Sequence, residues 1–219
     1  MLKKVILIGT LSFTLSISGF YGSIYAKADK SLTLKEEKDL SNAKIETKQL
    51  EIELEQLEEP VFYGDKKSEL RGTTWKRKGT IFVTTDTASA NSSTWAGGHA
   101  GISYNNYYTI ESFGNKGAAL NGVNLWNNDW NKRYKHFKAI SVNGTTAAQD
   151  AKVADKAYSY LGRKYNLNFF SINQDKSFYC SQLVWYSYKK IASIDLNDGG
   201  AVWPVDLIQS KKTYTIYSQ

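Results

Sequence analysis

The chain contains a single cysteine, Cys180, within "SFYCSQLVWYSYKK", residues 177–190. From it onward Leu183, Val184, Tyr188 and Ile191 recur at helical spacing, which predicts a helix over about 180–192 with Cys180 in its first turn. A helix N-terminus offers free N–H groups and partial positive charge, and both stabilise a thiolate. The same N–H groups suit a developing oxyanion. A thiol that merely fills a core gains nothing from that position. A thiol nucleophile needs a base, most often histidine, and the chain offers His99 and His136. His99 follows Gly97-Gly98, where the backbone leaves room for a substrate. His136, between Lys135 and Phe137, reads as a surface histidine.

A histidine base is normally oriented by a third group. Glu111 is the candidate, because a carboxylate inside the apolar stretch "YYTIESF" needs a reason to be there. His99 and Glu111 share a sheet face only if the turn between their strands has an odd number of residues. A three-residue loop, Asn105-Asn106-Tyr107, meets that condition, and Asn tolerates the left-handed conformation such loops use. A two-residue Asn105-Asn106 turn would place them on opposite faces. The sequence leaves both registers open. Two histidines and one cysteine, far apart, make no recognisable zinc spacing, so neither metal nor cofactor is expected.

The elements that must position these groups are strands at 79–85, 99–104, 107–113, 136–142 and 213–218, with helices at 145–162 and 180–192. Residues 115–131, with two tryptophans, read as a long loop, and 87–98 as a loop of small residues. Strands cluster early and helices late, which indicates α+β rather than alternating α/β. Hydrophobic residues at 42% and aromatics at 14% suit a compact, sheet-rich domain. Upstream, "SLTLKEEKDLSNAKIETKQLEIELEQLEEPVF" carries a capping box, Thr33 with Glu36, and a stop at Pro60. It predicts a helix, or a pair broken near Ser41-Asn42, with Leu50, Leu54 and Leu57 on one stripe. The expected divisions are a signal peptide over 1–28, a charged helical arm and linker over 29–72, and a catalytic domain over 73–219. The arm reads first as a solvated helix or linker, and alternatively as a pro-segment or docking element.

Residues 1–28 combine a basic start, an apolar stretch diluted with Gly, Ser and Thr, and Ala26-Lys27-Ala28. This pattern predicts export with cleavage after Ala28, so that the protein is secreted or associated with the cell wall. The alternative is an uncleaved membrane anchor. An exported chain with one cysteine forms no internal disulfide. Residues 73–219 carry seventeen bases against nine acids, whereas 29–72 carry eight against twelve. The basic half suits an anionic bacterial surface or anionic lipid, and no nucleic-acid motif is present.

The segments "GGHAGISYNNYYTIESFG", "YLGRKYN", "FYCSQLVWYSYKK" and "VWPVDLIQS", in that order, resemble the circularly permuted branch of the NlpC-type papain-like cysteine hydrolases, the YiiX-like group. The resemblance covers about 73–219. It implies an α+β fold with a small antiparallel, barrel-like sheet packed against helices, and a Cys180–His99–Glu111 triad in a groove between them. Tyr165 matches a family position near the active site, and Trp126, Trp130 and Trp203 are aromatic candidates for the groove. The family often has Gly-Asp-Ile where this chain has Gly79-Thr80-Ile81. The expected function is an exported cysteine hydrolase acting on an amide or acyl bond, with cell-wall peptides (muropeptides) as the first substrate class. Acyl-lipid thioesterase or acyltransferase chemistry, or a silent secreted binding protein using the arm, are the alternatives.

Overall fold

The computed structural model describes residues 32–67, 75–86 and 97–219. The expected signal peptide, most of the small-residue loop and part of the linker lie outside these residues. In chain order the described elements are α1 (Leu34–Glu55), β1 (Val61–Phe62), β2 (Ile81–Thr84), β3 (His99–Ser103), β4 (Tyr108–Phe113), β5 (Gly122–Asn127), α2 (Trp130–Arg133), β6 (Lys138–Val142), α3 (Ala147–Tyr158), α4 (Cys180–Ala192), α5 (Pro204–Gln209) and β7 (Thr213–Ser218). The strands form one sheet in the order β1-β7-β6-β2-β3-β4-β5, with every neighbouring pair antiparallel.

Side-chain alternation splits the core between two layers. Ile81, Val83, Ala100, Ile102 and Ile110 point to the helical side, where they join Leu183 and Val184 of α4. Phe82 points the other way, into an aromatic cluster with Trp130, Tyr134 and Phe137. The α4 stripe is broader than its spacing suggested: residues 180–188 are all buried, while Ile191, at 38% exposed, emerges in the last turn.

Two expectations change. The stretch 115–131 is not a plain loop, since it supplies edge strand β5 and the start of α2. Its asparagines are poor strand formers, yet β5 pairs with β4 over six residues, from Tyr108↔Asn127 to Phe113↔Gly122. Helix α1 is also unbroken at Ser41-Asn42, and it is capped by the Thr33–Glu36 box. It is not solvated all round. Leu40, Ala43, Leu50 and Leu54, spaced 3, 7 and 4 apart with Thr47 between, are buried in the core. Burial of each leucine contributes about 1.5–3 kcal/mol.

One end of α1 docks through Asp39, which accepts hydrogen bonds from the Ala201 N–H at 3.2 Å and the Trp203 indole N–H at 2.9 Å. A cavity of about 310 Å³ there is lined by Asp39, Asn42 and Glu46 of α1 together with Asp198, Trp203 and Asp206. Burial, against the Trp203 N–H that Asp206 accepts, and the neighbouring carboxylates of Asp39 and Glu46 push the Asp206 acid up to about 7. A folded-state pKa above the unfolded one means that stability is lost as pH rises through the interval from about 4 to 7. Asp206→Asn keeps the cap acceptor and removes the charge. It should raise the Tm by several degrees at about pH 8 and leave it nearly unchanged at about pH 4, as followed by circular dichroism.

Candidate active site

Cys180 is the first residue of α4, as its spacing predicted. The helix start is fixed by polar contacts with two other segments, residues 166–172 and Val202. The Gln182 carboxamide oxygen accepts from the Tyr179 N–H at 3.3 Å and from Asn166 Nδ2 at 2.9 Å, and its Nε2 donates to the Ile172 carbonyl at 3.0 Å. Tyr179 Oη donates to the Phe169 carbonyl and accepts the Val202 N–H. Ser181 Oγ donates to the Val202 carbonyl at 2.6 Å. The sulfur therefore sits at a rigid N-terminus, free of any disulfide and 2% exposed.

His99 is the first residue of β3, where the sheet ends, so the N-terminus of a helix from the opposite layer can meet its ring. The approach is fixed by Gly98 at φ 123°, where a Cβ would stand 2.2 Å from the Thr84 carbonyl oxygen. β3 and β4 pair as Gly101↔Glu111, Ile102↔Ile110 and Ser103↔Thr109, which leaves the three-residue loop Asn105-Asn106-Tyr107. His99 and Glu111 consequently share a face, on the diagonal. No asparagine turns left-handed here, because Ser193 is the only non-glycine residue with positive φ among those described. Instead Asn105 Oδ1 accepts both the Tyr107 and Tyr108 N–H groups at 2.8 Å. Gly101 clears the path for Glu111: a Cβ there would lie 2.7 Å from Glu111 Cγ and 3.2 Å from the Trp130 ring.

His99 Nε2 and Glu111 Oε2 are 2.8 Å apart, with His99 1% and Glu111 0% exposed. That leaves Nδ1 as the ring nitrogen that can face Cys180, whose side chain is among the neighbours that raise the His99 pKa. Burial works against every charge in this group. Even so, the His99 hydrogen bond and charge, with the Ala100 N–H, hold the Cys180 thiol below its ordinary pKa. The Cys180 and Glu111 contacts in turn hold His99 above its own. Both shifts favour a thiolate–imidazolium pair.

Glu111 collects donors that the sequence did not reveal. The Arg133 guanidinium forks onto it, with Nη1 to Oε2 at 3.2 Å and Nη2 to Oε1 at 2.5 Å. Trp130 Nε1 donates to Oε1 at 3.1 Å, and Thr109 Oγ1 donates to the same oxygen. Burial would raise the carboxyl pKa, yet the Arg133 charge and the His99 hydrogen bond bring it down to about 2. The imidazole is also clamped between rings: Phe113 stacks on it at 4.1 Å and Trp130 at 5.8 Å between centroids. The remaining sequence candidates are placed differently. Tyr165 lies over Gly114, one residue beyond Phe113. Trp126 packs edge-on against Phe113 at 4.8 Å. Trp203 is buried, with its indole N–H held by Asp39. His136 stands apart and is tied through its carbonyl to Thr84 Oγ1.

Residues 73–217 match the family described as permuted papain-like amidase enzyme, YaeF/YiiX, C92. The chain belongs to this C92 family. Among solved structures, that described as metalloprotein yiiX from Escherichia coli O157:H7 is similar, at 17% identity and a TM-score of 0.48 over 64% of this chain and 96% of that one. No curated protein matches. C92 membership accounts for the chain order, with His99 and Glu111 on hairpin strands ahead of Cys180 rather than after it. It also makes the protein a papain-like cysteine amidase at family level.

Helix α1, upstream of the C92 match, touches both sides of this site. Thr47 Oγ1 donates to the Gly97 carbonyl at 3.4 Å, two residues before His99. Asp39 binds the 201–203 segment whose Val202 carbonyl holds Ser181. Glu53 pairs with Lys138 of β6 at 2.6 Å.

The Arg133–Glu111 pair carries two measurable consequences. Because the folded Glu111 pKa lies below the unfolded one, its contribution of about 3 kcal/mol is present above pH ~4.5 and lost as pH falls towards 2. Arg133→Met strands a buried carboxylate and should cost about 3–5 kcal/mol. It should also move the acid-unfolding midpoint to higher pH. Urea denaturation at neutral pH and an acid titration followed by tryptophan fluorescence check the two effects.

Proposed function

We propose that this protein is an exported cysteine amidase that cleaves peptide amides of the bacterial cell wall through an acyl-enzyme, with Cys180 as nucleophile, His99 as acid and base, and Glu111 as the group that orients His99. The observation that carries this reading is the convergence of sulfur, imidazole and carboxylate from α4, β3 and β4, with the thiol pKa lowered and the imidazole pKa raised. In the first half-reaction the Cys180 thiolate attacks the carbonyl carbon. A C–S bond forms and the carbonyl π pair moves to oxygen, facing the N–H of Cys180 at the helix N-terminus. As that pair returns, the C–N bond breaks and the imidazolium of His99 gives its proton to the departing amine. In the second half-reaction water adds to the acyl carbon while His99 takes its proton. The C–S bond then breaks and the thiolate–imidazolium pair is restored. Glu111, itself pinned by Arg133, keeps Nδ1 aimed at sulfur throughout.

The apolar start and the Ala26-Lys27-Ala28 site support export, and the excess of bases over 73–219 supports an anionic substrate surface. Tyr165, over the glycine that follows Phe113, supplies a wall of the groove in this reading. Trp203 instead holds α1.

The purified protein, offered muropeptides and acylated lipids side by side, should release amine from the former, and Cys180→Ala should abolish release without changing the circular dichroism spectrum. Turnover confined to the lipids would replace amidase with acyl-transfer chemistry, and turnover of neither would sink the reading. Iodoacetamide should alkylate Cys180 rapidly near neutral pH, with the rate falling only on acidification past the lowered thiol pKa. His99→Ala should slow alkylation at neutral pH by about tenfold or more and return the profile to that of an ordinary thiol.

A further inference from the structure

The turn that joins β4 to β5 brings a cation beside the triad that the mechanism leaves unused. The Lys116 N–H donates to Asn121 Oδ1 at 2.8 Å, which fixes the turn. The Lys116 ammonium lies over the Phe113 ring at 4.9 Å and over the Trp126 ring at 5.9 Å, each to the centroid. Phe113 in turn stacks on the His99 ring at 4.1 Å. These separations place Lys116 Nζ within about 9 Å of the centre of the imidazole. An extended peptide advances by at most ~3.6 Å per residue. The cation is therefore in reach of a group one or two residues from an amide bond held at His99.

A second observation concerns Trp126, an aromatic candidate of the sequence to which the mechanism gives no role. Three other tryptophans give their indole N–H to a carboxylate: Trp130 to Glu111, Trp185 to Asp195 and Trp203 to Asp39. Trp126 Nε1 is buried and has no acceptor among the described residues. A buried donor normally has a partner, and the neighbouring cation indicates which kind is missing. The faces of Phe113 and Trp126 attract the ammonium, whereas an anion is drawn to a ring edge, where the N–H lies. A carboxylate at that edge meets the indole N–H and the ammonium together. Nε1 has no surface of its own, so this pairing needs a side-chain movement, and the flexible four-carbon stem of Lys116 supplies one. Glu111 does not repel such an anion strongly, because Arg133 already forks onto it. Burial and the Arg133 charge hold Lys116 below its ordinary pKa, with Glu111 opposing them. A bound carboxylate would act in the same sense as Glu111.

We propose that Lys116 and Trp126 form an anion subsite beside His99, which binds a substrate carboxylate one or two residues from the scissile amide. The ammonium supplies the charge and the indole N–H a directed hydrogen bond. The substrate class narrows from peptide amides in general to acidic peptides. Neither residue touches the reacting atoms, so an uncharged substrate still reacts but binds more weakly. This rests on Cys180 and His99 being the reacting pair, as proposed above.

The test uses the full chain with Lys116→Met, which keeps the stem and removes the charge, and Trp126→Phe, which keeps a ring and removes the N–H. The probes are iodoacetyl-glycine and iodoacetyl-glycylglycine, each compared with its C-terminal carboxamide, and the readout is the rate at which Cys180 is alkylated. One of the two acids should react about fivefold or more faster than its amide in the wild type at low salt, and the preference should shrink as salt is added. Lys116→Met should bring that preference close to one, and Trp126→Phe should reduce it about threefold. Iodoacetamide, which carries no carboxylate, should alkylate all three proteins at rates within about twofold. An acid-over-amide preference that is absent in the wild type, or equal in wild type and Lys116→Met, overturns the subsite alone. So does a variant in which iodoacetamide slows as much as the acids, because the substitution then acts on the thiol itself. A wild-type thiol that reacts slowly with every reagent overturns the nucleophile assignment, and this inference with it.

Discussion

A carboxylate with no access to water is the constraint around which this protein is organised. An unpaired buried charge would cost many kcal/mol, so Glu111 obliges the chain to deliver donors from several directions. Thr109 comes from its own strand, His99 from the neighbouring one, and Trp130 and Arg133 from the short helix α2. This explains the excursion between β4 and β6. Edge strand β5 runs back along β4 past Glu111 to Asn127, opposite Tyr108, and the turn of helix that follows presents an indole and a guanidinium to Glu111 together. In the proposed mechanism stability and catalysis are coupled, since the ion pair that neutralises Glu111 also holds the group that orients His99.

The cysteine side is built on a different principle. Among the described residues a lattice of neutral hydrogen bonds anchors the start of α4, running through Gln182, Tyr179 and Ser181 to residues 166–172 and Val202. Such a frame holds the sulfur still, and its Ser181 hydroxyl joins the imidazole and the Ala100 N–H in lowering the thiol pKa against burial. Helix α1 connects the two halves, with Thr47 against the segment entering β3 and Asp39 against the loop that braces Ser181. It thus belongs to the same compact unit as His99, Glu111 and Cys180.

The parts legible in the sequence are those with local signatures. The stripe after Cys180, the capping box at Thr33 and the parity rule relating His99 to Glu111 depend on spacing within about twenty residues, and all three appear in the structure. The pairing of His99 with Glu111 was therefore one of two registers within reach before any coordinates. Arg133 and Trp130 were not, because they approach Glu111 from about twenty residues downstream across an asparagine-rich stretch with no periodic pattern. A usable signal did exist: a glutamate in an apolar strand demands a cation, and "WNKRY" sets an arginine and a tryptophan three apart on one helical face. The burial of α1 was hidden for another reason. Its apolar stripe is one residue wide and interrupted by Thr47, so the charges around it dominate any average.

The close approach at Gly98 has a bearing on how this sequence can vary. With the Thr84 carbonyl occupying the volume of any side chain, that position is closed to the other nineteen amino acids. The placement of His99 is thus inherited through a void, the missing methyl of a glycine. Divergence among descendants of this chain would have to bypass that residue, and be absorbed in segments whose atoms do not abut the sheet.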